Sequence, residues 1–211
     1  MSFHRQTVRN VGVGVGLADT PEGMKLINTP GAAAAIWRRQ PSHRFKAWID
    51  ELDPACLPEV RIVLPVSAVR DAVHHVCEQA GMQGSAQRDV LVDDIAALAD
   101  VFAAIMCTAY LRLRLDVVKD NACCKFHIDA VTARLVCTYR GTGTQYGIST
   151  DGQQPKRVFT VPTGAPIILR GTLWPDPPLS GLLHRSPPIE GTGETRLVLV
   201  LDPVCDVQLT D

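Results

Sequence analysis

The sequence predicts an α+β fold: a mostly helical N-terminal part packed outside a C-terminal jelly-roll. Three observations predict it. Apolar residues recur at helical spacing through much of the first half of the chain. After Tyr110 the repeat shortens to that of a strand, with Leu111, Leu113, Leu115 and Val117 alternating with Arg112, Arg114 and Asp116. Beyond that point short apolar runs are separated by turn residues, and many short strands after a helical block suggest a β-sandwich or jelly-roll.

The elements follow in order. Val11-Gly12-Val13-Gly14-Val15-Gly16 has the look of a phosphate loop but reads G-x-G-x-G. It lacks the later Gly and Lys of the nucleotide motifs, so a flexible or edge segment is the simpler reading. Residues 32–37 read as a short buried strand. Ser42 is a suitable N-cap for a helix over 43–52, where Phe45, Trp48, Ile49 and Leu52 form one apolar face. A short strand is expected at 61–64 and a helix at 67–80, closed by Gly81. The adjacent His74 and His75 diverge by about a hundred degrees on a helix, so they suit surface or packing roles. A scaffold helix is expected over 85–108. Candidate strands follow at 111–118, 127–139, 156–161, 166–170, 181–185 and 195–202, with turns at Gly141-Thr142-Gly143-Thr144 and Ser149-Thr150-Asp151-Gly152.

A chain of 211 residues suffices for one sizeable domain over 1–211, with a mostly helical part over 1–110 and a β part over 111–205 that carries the site. A net charge of −1 implies no broad attraction to nucleic acid or to an anionic membrane. No apolar run reaches transmembrane length, and Met1-Ser2-Phe3-His4-Arg5-Gln6 is followed by no signal-peptide core. The cysteines number seven and form no C-x-x-C pair, which fits reduced thiols and a cytoplasmic location.

Lys125-Phe126-His127-Ile128-Asp129 opens a run that reads as a strand, and on a strand residues i and i+2 share a face. His127 and Asp129 then offer an imidazole and a carboxylate side by side. A second imidazole lies downstream in Leu182-Leu183-His184-Arg185-Ser186-Pro187-Pro188. Two His and one carboxylate with open positions remaining form the facial arrangement of non-haem Fe(II) sites. Other readings stay open: a surface pair on a strand, a strand-capping His184, or a Zn²⁺ site of Cys123, Cys124, His127 and Cys137. Cys123 and Cys124 face opposite ways on an extended chain, so only one joins His127 easily. Cys56, Cys77, Cys107 and Cys205 read as buried apolar residues. No G-x-S-x-G elbow is present, and no carboxylate pair stands out.

The segments Val161-Pro162-Thr163-Gly164-Ala165-Pro166, Gly181-Leu182-Leu183-His184 and Gly193-Glu194-Thr195-Arg196-Leu197-Val198 extend this pattern. Over about residues 112–202 the chain resembles the 2-oxoglutarate/Fe(II) oxygenase superfamily. The resemblance implies a cupin-like double-stranded β-helix, with Fe(II) held by His127, Asp129 and His184. It also implies 2-oxoglutarate as cosubstrate, with Arg196 binding the far carboxylate and Tyr139, Arg134 and Arg112 as further candidates for that pocket. At a finer level the chain is similar to a bacterial family known as domain of unknown function 1826. Cys124 to Asp129, Arg134 to Gln145 and Leu183 to Pro188 carry that likeness. The substrate, small molecule or protein, and the oligomeric state are not legible. The competing classes are a non-enzymatic zinc- or iron-binding jelly-roll in metal handling or sensing, and a β-sandwich interaction module without metal.

Overall fold

A computed structural model describes residues 11–204. The opening Met1–Gln6 stretch and Cys205 lie outside the described residues. Ten strands and three α-helices follow in the order β1 (Gly14–Ala18), β2 (Ala32–Trp37), α1 (His43–Glu51), β3 (Val60–Pro65), α2 (Val69–Gln79), α3 (Ala86–Met106), β4 (Tyr110–Val118), β5 (Ala133–Arg140), β6 (Gln145–Ile148), β7 (Phe159–Thr160), β8 (Pro166–Arg170), β9 (Leu182–Arg185) and β10 (Arg196–Val204). Short 3₁₀ turns fill several connections. The strands form a seven-stranded sheet, β1-β2-β8-β5-β10-β4-β3, and a three-stranded sheet, β7-β6-β9. The protein is thus a mixed α/β structure with one large sheet and few helices.

Alternation along the strands builds two cores. On one face of the large sheet Leu111, Leu113, Leu115, Leu135, Leu199 and Leu201 pack under the helices, against Phe45, Ile49, Ile95 and Phe102. On the other face Val136, Ile167, Leu169, Val198 and Val200 form a second cluster with Leu182 of the small sheet. Strand β10 is apolar on both faces because it lies between β4 and β5 and is covered on each side. The helices start where capping chemistry predicts. Ser42 Oγ accepts from the Phe45 N–H and Ser85 Oγ from the Arg88 N–H, bonds of the kind that contribute about 1 kcal/mol each.

Several expectations need correction. The strands expected at 32–37 and 61–64 form as β2 and β3, but together with β1 they join the large sheet at its two edges, so the first half of the chain is less helical than expected. The glycine-rich segment is the edge strand β1, parallel to β2, and Gly12 bridges to Ser180. The strand expected over 127–139 begins only at Ala133. From Asp129 to Thr132 the backbone pairs with a loop: Thr172 N–H donates to Asp129 O, Leu173 N–H to Val131 O and Gly171 N–H to Thr132 O. The strand expected over 156–161 shrinks to Phe159–Thr160. Strand β6 escaped notice because it is short and contains Gly147, where a Cβ would lie 2.5 Å from Arg157 O.

Candidate metal centre

His184 comes from β9, whose edge residue pairs with His127 through reciprocal backbone hydrogen bonds of 3.0 Å. This bridge brings the two imidazoles together, with ring centroids 4.5 Å apart. Asp129 follows His127 on irregular backbone, held by the Thr172 N–H on its carbonyl. Its Oδ1 lies 3.4 Å from His127 Nε2 and its Oδ2 lies 3.0 Å from His184 Nε2. The three donor atoms all fall within 4.8 Å of one another. The cluster therefore forms as the spacing of residue types suggested, but by a bridge and a loop rather than by strand parity.

The donor set suits a divalent metal. Bonds of about 2.1 Å at right angles place neighbouring ligand atoms about 3 Å apart, close to the two His–Asp separations. His127 Nδ1 donates to Lys125 O at 2.8 Å, which fixes the tautomer and leaves Nε2 with a lone pair facing Asp129. Asp129 Oδ2 is buried and finds no hydrogen-bond partner among the described residues, since His184 Nε2 approaches it outside hydrogen-bond geometry. A buried carboxylate oxygen left in that state is costly unless a cation completes it.

Charge around the cluster is arranged to keep Asp129 ionised. Burial works to raise its pKa, but His184, Arg134 and His127 outweigh burial and hold it at about 2. Burial lowers the pKa of His184, opposed by Asp129, so the neutral metal-binding form is favoured. Arg134 does not project freely into the pocket. It donates to Asp129 Oδ1 and forms a forked pair with Asp202, Nε to Oδ1 at 2.7 Å and Nη2 to Oδ2 at 2.8 Å. Asp202, in the apolar run that closes β10, had drawn no attention in the sequence. Its signal was a lone carboxylate among buried residues.

The cluster opens into a cavity of about 110 Å³ between the sheets, lined among others by His127, His184, Val136, Val198, Val200 and Arg196. Arg196 is 1% exposed. Its Nε donates to Thr142 O at 2.6 Å and its Nη2 to Thr138 Oγ1 at 3.4 Å, and no carboxylate pairs with it among the described residues. Burial lowers its pKa to about 10, with Glu194 acting in the opposite direction. Tyr139 lies elsewhere: it belongs to the helix-side core, and its hydroxyl donates to Asp94 Oδ2 at 2.6 Å. Arg112 sits on β4 opposite Asp202, at the margin of the site. Cys137 is buried under the helices beside Arg39, out of reach of a site shared with His127. Two cavity-side residues were missed: Arg114, which lines the cavity, and Tyr146, which pairs directly with His184.

A large mixed sheet, a small facing sheet and a His–Asp–His cluster at their junction define a protein with the donor set of a divalent-metal site. The chain belongs to the family described as protein of unknown function DUF1826, whose model matches residues 18–202. No curated protein matches the sequence. Among solved structures it is similar to the dioxygenase for auxin oxidation 1 of Arabidopsis thaliana in its 2-oxoglutarate binary complex. The TM-score is 0.55 at 11% identity, covering 92% of this chain and 93% of that one. The rice dioxygenase for auxin oxidation gives a TM-score of 0.47 at 11% identity, over 93% of this chain and 81% of that one. Full-length T7H of Neurospora crassa with α-KG gives 0.44 at 13% identity, over 94% and 87%. At these identities the likeness to the Arabidopsis protein concerns the fold. No helix among the described residues is long and apolar enough to cross a membrane.

Proposed function

We propose that the protein is a non-haem Fe(II)- and 2-oxoglutarate-dependent oxygenase of the hydroxylase type, built on a double-stranded β-helix. The strand orders support the architecture: β4, β10, β5 and β8 are contiguous in one wall, and β7, β6 and β9 form the other, extended at β9 by the His127 bridge. The observation that carries the functional reading is Arg196, a buried guanidinium with no carboxylate partner among the described residues, in the cavity that holds His127 and His184. A cation in that state calls for an anion. A short diacid reaching from the metal to Arg196 supplies one.

His127, Asp129 and His184 would hold the metal from one side and leave the remaining positions open. Fe(II), when bound, would supply O₂ activation coupled to oxidative decarboxylation of 2-oxoglutarate. Arg134 holds the Asp129 carboxylate in place and ionised. Thr138 and Thr142 hold the Arg196 guanidinium, which would orient the far carboxylate bidentately. Val136, Val198 and Val200 line the space between and limit water there. The six described cysteines are unpaired, which supports a cytoplasmic location.

Calorimetry on Mn²⁺-loaded protein tests this reading without turnover. Wild type is expected to bind 2-oxoglutarate stoichiometrically. Arg196→Ala should weaken that binding by about a hundredfold, in line with loss of a buried charge-assisted pair, while Mn²⁺ affinity stays within about twofold. Metal binding without any 2-oxoglutarate binding in wild type would sink the oxygenase reading in favour of a metal-holding protein.

A further inference from the structure

The cavity holds more cationic groups than a metal-bound diacid can use. Four arginines line it: Arg114, Arg134, Arg185 and Arg196. Arg134 is neutralised by Asp129 and Asp202. Arg185 donates to Gln145 Oε1 and stacks over the Phe126 ring at 4.5 Å. Arg196 is the partner of the cosubstrate in the reading above. Arg114 is left. Its Nε is buried without a hydrogen-bond partner among the described residues, and its one carboxylate neighbour, Asp116, stands off at 4.0 Å.

Arg114 also stands where two spaces meet. The metal cavity and an adjoining groove of about 610 Å³ share Arg114, Asp116, Val118 and Cys123. The groove is also lined by Leu57 and Glu59, and by Lys119 and Asp120. Two more arginines flank Arg114 on the same face of the sheet. Arg61 of β3 is its direct partner across the strand pair, and Arg112 precedes it by two positions. Like charges placed directly opposite each other destabilise a sheet. Arg112 lies opposite Asp202, but both oxygens of that carboxylate are taken by Arg134. In this cluster of three guanidinium groups, Arg61 and Arg112 have no ion-pair partner among the described residues, and Arg114, at the cavity wall, has only the 4.0 Å contact to Asp116.

We propose that this cluster, centred on Arg114, binds an oxyanion, carboxylate or phosphate, of the small molecule that the metal centre acts on. The word substrate rests on the oxygenase reading; the anion site itself does not. Guanidinium forks match both oxyanions geometrically. The groove leads the rest of the ligand to Arg114, and the shared wall places its next atoms in the cavity that contains His127 and His184.

Phenyl phosphate, benzoate and neutral benzyl alcohol serve as matched probes, titrated calorimetrically into Mn²⁺-loaded, 2-oxoglutarate-saturated protein at constant ionic strength. At least one oxyanion should bind about tenfold tighter than benzyl alcohol, and the preferred one identifies the oxyanion class. Arg114→Gln should remove that advantage while 2-oxoglutarate binding is retained, and Arg61→Gln should reduce it by about threefold. Equal binding of all three probes would overturn the proposal. So would an unchanged oxyanion advantage in Arg114→Gln, or displacement of 2-oxoglutarate by the probes, which would place the anion on Arg196. If Arg114→Gln fails to fold by circular dichroism, Arg61→Gln and Arg112→Gln decide, and no effect in either overturns it. If wild type binds no 2-oxoglutarate, the oxygenase reading fails. The same titrations on the Mn²⁺-only protein then judge the anion site separately, by whether oxyanion binding depends on Arg114.

Discussion

Arg134 holds Asp202 with both prongs of its guanidinium edge, Nε to Oδ1 at 2.7 Å and Nη2 to Oδ2 at 2.8 Å, and turns its remaining nitrogen to Asp129. The Asp202 side chain is 3% exposed and that of Asp129 is 12% exposed, so removing the cation strands two shielded carboxylates. Breaking one partner from such a pair costs about 3–5 kcal/mol. Arg134→Met should therefore destabilise the metal-free protein by about 3 kcal/mol in urea unfolding. It should also weaken Mn²⁺ binding about tenfold, because Asp129 loses the group that orients it.

Metal should stabilise the fold through the same residues. A ligand that binds only the native state at a hundred times its Kd adds about 2.7 kcal/mol. Wild type treated with chelator should gain about that on adding excess Mn²⁺. His127→Ala should show no such gain, while its metal-free circular dichroism matches wild type. The residue lies outside the regular strands, and its side chain is 34% exposed. A full metal-dependent gain in this variant would remove His127 from the site.

Acid should act on the metal-free protein in two steps. Burial depresses the His184 pKa, so the unfolded chain takes up its proton first. Stability contributed by the neutral imidazole is present above about pH 6.5 and declines as pH falls from there toward the lowered native value. The depressed Asp129 carboxyl contributes stability that is complete above the ordinary 3.8 and lost as pH falls toward about 2. Urea midpoints measured against pH should fall in both windows. Asp129→Asn should abolish the lower one, and an unchanged profile in that variant would remove Asp129 as its source. Mn²⁺ affinity should hold steady as pH falls through the ordinary imidazole value of 6.5 and decline only below it, where protons reach the lowered native pKa of His184 and compete with the metal.

The parts of this arrangement that were legible in the sequence depended on local regularity. Alternation from Leu111 onward and the unbroken run Leu197 to Leu201 identified β4 and β10, since burial on one or two faces leaves a direct trace in residue type. Arg196, which the resemblance to the oxygenases offered as the cosubstrate's partner, shares strand parity with Val198 and Val200, and all three line that cavity. The resemblance offered both Arg134 and Tyr139 for that pocket, but they sit on opposite faces of β5, which starts at Ala133 after irregular backbone. Tyr139 consequently turns toward Asp94, while Arg134, Val136 and Thr138 face the cavity side. The bridge between His127 and His184 had no local signal, because it joins segments far apart in the chain.

The backbone behind Asp129 should be as important to the site as the ligand itself. A Cβ added to Gly171 would lie 1.8 Å from Val131 O and 2.8 Å from Asp129 O. These are backbone atoms of the segment that carries Asp129, and that segment is tied to this loop by the Thr172 and Leu173 N–H bonds. It can yield only by moving the ligand. Gly171→Ala should therefore cost about 1–3 kcal/mol, the range for overpacking a tight site, and weaken Mn²⁺ binding about tenfold or more. Gly81→Ala is the control. Gly81 closes α2 at φ +75° with nothing within 4 Å of an added Cβ, so its cost is backbone strain of about 1 kcal/mol. That variant should lose stability yet bind Mn²⁺ as wild type does. Equal metal affinity in the two alanine variants would show that the 171–173 loop does not set the position of Asp129.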